Sequence, residues 1–384
     1  MAEAGTATPS VARSSPAQTG VHPPPQLFDL AYSSNRIPAM EGLRAYAVLL
    51  TFLVHFFGGW LVFYRGIEVT NIAPNHPIRH TDKIFTWLYL SPYGVYLFFI
   101  LSGFLICRLI DRPRQFAYGR YLFRRFLRIY PAFLLALLLA AGVLWYSGEA
   151  AFITGWNFAA NVLLLNGVPE LQVRPILHPT WSLFYEVVFY LVFPSVLVLR
   201  RIGVWRFPLA VVVAGLVLVY VPFLLGRGQA LFLLFFAGAT AARFDDRTLQ
   251  NFSSKISDGL ILALYLSVTT AITFRSVSDH VAIWLYGLAG SLFMVQSCFG
   301  KGMLNRLFSY TPIRRFGNVS YSFFLVHSIL IYVVLMHLGP KWITSNGLFP
   351  ALVVGFVTAL FSWVLAAALF VGVERPYFAR RSGK

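Results

Sequence analysis

Apolar runs of about twenty residues recur along this chain, separated by short stretches rich in arginine. Wound as a helix, a run of that length crosses a hydrocarbon core of roughly 30 Å. The 384 residues are 58% hydrophobic and only 12% charged, with a mean hydropathy of +0.69. That is too little polar material to cover a water-soluble fold of this size. The expected architecture is all-α, a polytopic membrane helical bundle of about ten transmembrane helices. The spans are expected near 41–64, 92–110, 129–147, 181–199, 207–225, 230–243, 256–274, 281–299, 319–338 and 349–371, the sixth being short. No internal repeat is visible, which argues against an inverted-repeat transporter.

A formal net charge of +17 raises the question of nucleic acid, and its distribution answers it. With the N-terminus in the cytoplasm, that side receives 24 of the 31 Lys and Arg residues and the other side receives 7. This is the asymmetry that the positive-inside rule produces, so both termini are expected in the cytoplasm. The chain is expected to be a multi-pass protein of the cell membrane (the inner membrane, in a bacterium), with the bilayer rather than nucleic acid as partner. Residues 1–35 are rich in Ala, Ser, Thr and Pro, have no signal-peptide core, and read as a retained, disordered cytoplasmic tail. Residues 36–378 read as one transmembrane domain and 379–384 as a short basic tail. Cys107 and Cys298 fall in or beside spans without a CxxC pair, so neither a disulfide framework nor a metal site is expected.

Ionisable residues inside the spans are the candidates for chemistry, because charge in a bilayer is costly and usually lines a path for substrate or protons. In EGLRAYAVLLTFLVHF (41–56), the eleven steps from Arg44 to His55 make about three turns plus 20°. The two therefore share a helix face about 16 Å apart along the axis, with Glu41 on the same side. A neutral imidazole there suits general-base work. It also suits a simple hydrogen bond to a neighbouring helix, and the spacing leaves both readings open.

RLIDRPRQFAYGRYLFRRFLRIYP (108–131) carries seven arginines, more than topology needs. Arg124, Arg125 and Arg128 make a tight basic turn at the membrane face, suited to phosphate groups. Anionic lipid headgroups are the competing ligand. In HPTWSLFYEVVFYLVFP (178–194), Glu186 lies inside its span with Ser182 on the same face. Its expected partner is His55 or an arginine, whereas Trp181 and Tyr185 fit an interfacial aromatic belt equally well. Ser102-Gly103 in FFILSGFLI reads as a close helix contact. His327 lies within a span, and Glu374 sits at the cytoplasmic end of the last helix, where an arginine is its simplest partner. The loops 65–91 and 148–180 are long enough to carry function. Within the second, GWNFAANVLLLNG is apolar but too short to span, so it lies in the interface or re-enters.

Taken together, these segments resemble the acyltransferase 3 family of integral membrane acyltransferases, over nearly the whole chain from Arg36 to Phe378. EGLRAYAVLLTFLVHF is similar to its opening helix, whose Arg-x10-His signature is met by Arg44 and His55. FFILSGFLI, RRFLRIYP with its Arg-x-x-Arg at Arg125 and Arg128, TWSLFYEVVFYLVFP, GNVSYSFFLVH and the terminal ERP resemble further family elements in the same order. Glu41 stands where Asp is more usual, and SYSFFLVH lacks a tyrosine often found before the final Leu-x-His.

The resemblance implies transfer of an acyl group, commonly acetyl, from coenzyme A to an acceptor hydroxyl, with acyl-CoA as co-substrate and no tightly bound cofactor. Acceptors in such a family include surface glycans, lipid-linked glycans and macrolide-type metabolites. The basic turn would hold the donor's phosphates. His55 would deprotonate the acceptor or take the acyl group itself, with Arg44 and Glu186 assisting. Ser102, Trp181, Ser182, Glu41, His327 and Glu374 would support the site. A proton-coupled transporter or flippase using His55, Glu186 and His327 is the competing class.

Overall fold

A computed structural model describes residues 27–28, 36–66, 83–90, 93–111, 116–194, 230–274, 279–339 and 347–376. Among these residues every regular element is helical. Among the described residues six helices are long and apolar enough to cross a membrane: Pro38–Arg65, Lys83–Ile110, Tyr118–Tyr146, Val281–Phe299, Ser320–Leu338 and Leu348–Glu374. The outer face of the last exposes Phe349 (77%) and Phe356 (72%), surface that only lipid or another protein would cover.

Helix α1 (Pro38–Arg65) runs through the centre of the bundle. Its boundaries follow from local chemistry. Pro38 occupies the first turn, where its missing N–H costs nothing. At the other end Gly66 adopts a left-handed conformation (φ 61°) and its N–H closes on the Leu61 carbonyl. Between them α1 buries Phe52, Phe56, Phe57, Trp60 and Leu61. It packs against α2 (Lys83–Tyr89), α3 (Tyr93–Asp111), α10 (Asp279–Phe299), α11 (Met303–Ser309), α12 (Thr311–Asn318) and α13 (Ser320–Tyr332).

Ser102-Gly103 marks a close crossing, as its small residues suggested. A Cβ on Gly103 would lie 1.9 Å from the Phe235 carbonyl oxygen of α7 (Phe232–Ala242), and one on Gly238 would lie 1.9 Å from the Ile100 carbonyl oxygen. The backbones of α3 and α7 touch in both directions, which no other residue type permits.

The expected spans are met unevenly. Helix α4 (Tyr118–Tyr146) begins eleven residues before the expected start of its span, so the arginines at 120–128 ride on its first three turns rather than in a loop. Pro131 sits inside this helix, and the Tyr321 hydroxyl donates to the nearby Ile129 carbonyl at 2.9 Å. At 181–199, 230–243 and 256–274 the described helices are Trp181–Val192 (α6), Phe232–Ala242 and Asp258–Thr273 (α9). The second and third are shorter than a full span, and the end of the span expected at 181–199 lies outside the described residues. Helix α8 (Asp246–Ser254) bends by 92° into α9. The expected span 207–225 lies outside the described residues.

GWNFAANVLLLNG folds as a short helix, α5 (Gly155–Val162), followed by a single-turn 3-10 segment, Leu165–Gly167. Of the tail expected at 1–35, Leu27 and Phe28 are described. The Phe28 ring packs 5.7 Å from that of Trp363, and its carbonyl accepts from Asn318.

Candidate active site

Two cavities lie at opposite ends of α4 and α13, with histidines between them. The larger, about 320 Å³, is lined by Arg44, Ser102, Arg125, Arg128, Glu186 and Tyr190 among others. The smaller, about 190 Å³, is reached twelve residues further along α4, at Ala140, or about 18 Å. Helix α13 presents Tyr321 and Phe324 to the first cavity, then Ser328, Ile329 and Tyr332 to the second. His327 falls at the changeover.

The larger cavity is strongly cationic for reasons legible residue by residue. Glu41 is buried and already shared between Arg36 (3.1 Å) and Arg314 Nε (3.0 Å), which ties the start of α1 to α12. Arg108 is spent on Asp246 and the Phe244 carbonyl. Arg44, Arg125 and Arg128 make no ion pair among the described residues. Arg125 lies over the rings of Tyr190 (5.2 Å) and Tyr121 (5.5 Å), which fix the guanidinium without neutralising it. Glu186 accepts from the Ser102 hydroxyl (3.2 Å) and from the Tyr190 hydroxyl. The expected histidine partner is therefore replaced by two hydroxyls, with Arg44 as an electrostatic neighbour.

Other candidates sit around this core. Ser182 lines the cavity beside Glu186 and donates to the Pro179 carbonyl. Trp181 packs edge-on against Tyr185, away from the cavity wall. Arg124 is exposed on the outer side of its turn, and the lining takes Arg125 and Arg128 instead. Glu374 is buried at the end of a π-helical turn that closes the last span, and it accepts from the Ser322 hydroxyl. Arg128 and Arg44 are its electrostatic neighbours, so the arginine expected beside it acts at longer range than the serine.

His55 Nδ1 lies 2.9 Å from His327 Nε2. His327 is fully buried, stacked on Phe323, and its Nδ1 lies 3.1 Å from the Phe323 carbonyl. A carbonyl only accepts, so His327 Nδ1 carries a hydrogen. In the neutral ring its Nε2 is then a lone pair, and His55 must donate to it from Nδ1. The consequence is chemical: the second nitrogen of His55, Nε2, is left as the basic one. His178 completes the cluster, its ring 5.6 Å from that of His55.

A model described as an acyltransferase domain, that of the acyltransferase 3 family, matches residues 37–367. The chain belongs to this family. The six apolar spans among its described residues make it a membrane protein. It is also similar to "Acyltransferase MdmB" of Streptomyces mycarofaciens, 29% identical over 170 residues, covering 41% of this chain and 38% of that protein. The match thus spans well under half the length of that relative. No solved structure matches.

For an acyltransferase 3 member, the residues missed by sequence reasoning are informative. His178 opens the quoted segment HPTWSLFYEVVFYLVFP and had a signal, its place three residues before a span, but nothing in the spacing tied it to His55. The long loop does that. Asn157 Oδ1 accepts from the Arg174 N–H and Asn161 Oδ1 from the Ile176 N–H, while both side-chain amides donate to the Arg174 carbonyl. Two asparagines thereby act as a strap that presents the turn His178–Thr180 to the bundle. Tyr190 and Tyr321, which their spacing did not single out, are hydrogen-bonding walls of the cationic cavity.

Proposed function

We propose that this enzyme moves an acyl group, acetyl by preference, from coenzyme A to a hydroxyl of a glycan or of a glycosylated or lipid-linked acceptor. The observation that carries the reading is the placement of the His55–His327 pair between a cationic cavity and a second, nearly uncharged one. The donor's phosphates suit Arg44, Arg125 and Arg128, whose charge is not consumed by carboxylates at contact distance. The arginine-bearing end faces the cytoplasm, as the positive-inside rule requires, and acyl-CoA enters there.

In the proposed step, His55 Nε2 takes the proton of the acceptor hydroxyl as its oxygen attacks the thioester carbonyl. The carbon–sulfur bond breaks and the thiolate of coenzyme A leaves. The imidazolium then returns the proton to that thiolate, giving free thiol and an ester. His327 holds the Nδ1 proton of His55 throughout and so fixes which nitrogen reacts. This arrangement favours general-base catalysis over an acyl-histidine intermediate, because an acylated Nε2 would have to face the acceptor cavity after losing its role as base.

The test is transfer of label from radiolabelled acetyl-CoA to candidate glycans in membranes carrying the enzyme. His55→Ala should abolish transfer while expressing normally. Full transfer by that variant would end the proposed mechanism.

A further inference from the structure

The smaller cavity is lined by Val143, Leu144, Ile176, Leu177 and Ile329 and by four polar side chains: Glu149, His178, Ser328 and Tyr332. The Tyr332 hydroxyl donates to Glu149 Oε1 at 2.8 Å. The other Glu149 oxygen, the Ser328 hydroxyl and the His178 ring make no hydrogen bond among the described residues. An apolar pocket with several convergent polar groups awaiting partners is the usual form of a small-ligand site. Its volume, about 190 Å³, lies below the range for drug-sized ligands and suits a single small ring or polyol unit. His178 connects it to His55, 5.6 Å away ring to ring.

The charge of the lining adds specificity. Among the described residues Glu149 is its one carboxylate, and neither Lys nor Arg contributes to the lining. An anionic acceptor would meet a like charge with no cation of the described lining to offset it, whereas a neutral or aminated one meets an acceptor of hydrogen bonds. Resting on the acyl-transfer reading, we propose that this cavity is the acceptor subsite, that it takes a hydroxylated ring that is uncharged or aminated, and that it excludes carboxylated rings.

Binding to the full chain in lipid nanodiscs tests this, with saturation-transfer NMR on three probes: methyl glucoside, methyl glucosaminide and methyl glucuronide. The non-reactive thioether analogue of acetyl-CoA serves as a separate probe of the cationic cavity and of correct folding. The expected result is saturation of the glucoside and the glucosaminide and none of the glucuronide. Glu149→Gln should weaken the glucosaminide at least fivefold and remove its advantage over the glucoside. Val143→Trp, which fills the cavity and keeps every polar group, should abolish binding of all three glycosides and leave the thioether bound.

Equal binding of the glucuronide, binding of none of the three, or indifference to both substitutions overturns the subsite. Loss of thioether binding with glycoside binding intact would instead remove the acyl-CoA reading and leave the subsite standing.

Discussion

His55 and His327, 272 positions apart in sequence, meet nitrogen to nitrogen at 2.9 Å, and the Phe323 carbonyl behind His327 decides which nitrogen of His55 is basic. In the proposed mechanism His327 acts through His55 as a positioning residue. His327→Asn is expected to lower kcat by about 10- to 100-fold, up to the lower end of general-base contributions, while KM for acyl-CoA stays within twofold. The pH–rate profile should also move, because the variant leaves His55 free to exchange tautomers. An unchanged profile with a lowered kcat would point to a merely structural role.

Arg125 and Arg128 are expected to act on donor binding. Removing one charged hydrogen-bond partner costs about 1.5–3 kcal/mol, so Arg128→Ala should raise KM for acetyl-CoA by roughly tenfold to a hundredfold. Arg124→Ala, on the exposed side of the same turn, should change it by less than twofold. Dephospho-CoA thioesters should lose less than the intact donor when Arg128 is replaced, if the phosphates are what it holds.

Glu41 should be structurally expensive to lose. Glu41→Gln leaves Arg36 and Arg314 without their shared carboxylate, and breaking one side of a buried pair costs about 3–5 kcal/mol; the half-exposed arginines place the effect at the lower end of that range. The thermal midpoint in detergent is the measurement. The compensated variant with Glu41→Leu and Arg314→Met together should recover most of the loss.

The α3–α7 contact is predicted to reject any side chain. Gly103→Ala puts a methyl into the Phe235 backbone, and overpacking of this kind costs about 1–3 kcal/mol. Because Ser102 next to it holds Glu186, activity should fall along with stability. Gly142→Ala, in open surroundings on α4, should change neither.

The loop strap is testable through the acceptor. Asn161→Ala removes the side chain that holds Arg174 and Ile176 and should raise KM for the acceptor severalfold while KM for the donor holds. Initial-rate kinetics with each substrate varied in turn separates the two.

Helical arithmetic was enough to place Arg44 and His55 on one stripe, because 100° per residue holds inside a single continuous helix whatever surrounds it. It also placed Ser182 beside Glu186. The arithmetic stops at the helix end: which imidazole met which depended on how α1 and α13 cross, and no pattern within either span encodes that crossing. Glu186 illustrates the same limit, since its Tyr190 partner lies one turn away in sequence while its Ser102 partner comes from a different helix. The shortness of the helix at 232–242 was legible, whereas the 92° bend between α8 and α9 was not, because hydropathy reports what a residue tolerates and not where the chain turns.

The Phe323 carbonyl is a dead end for hydrogen. A proton lifted from an acceptor by His55 has no onward route through His327, whose far nitrogen is already committed to backbone. In the proposed step it returns instead to the departing sulfur. Under the proposed chemistry, each turnover is therefore electrically silent across the bilayer, and an enzyme with polar cavities at both ends of its bundle draws nothing from the proton gradient.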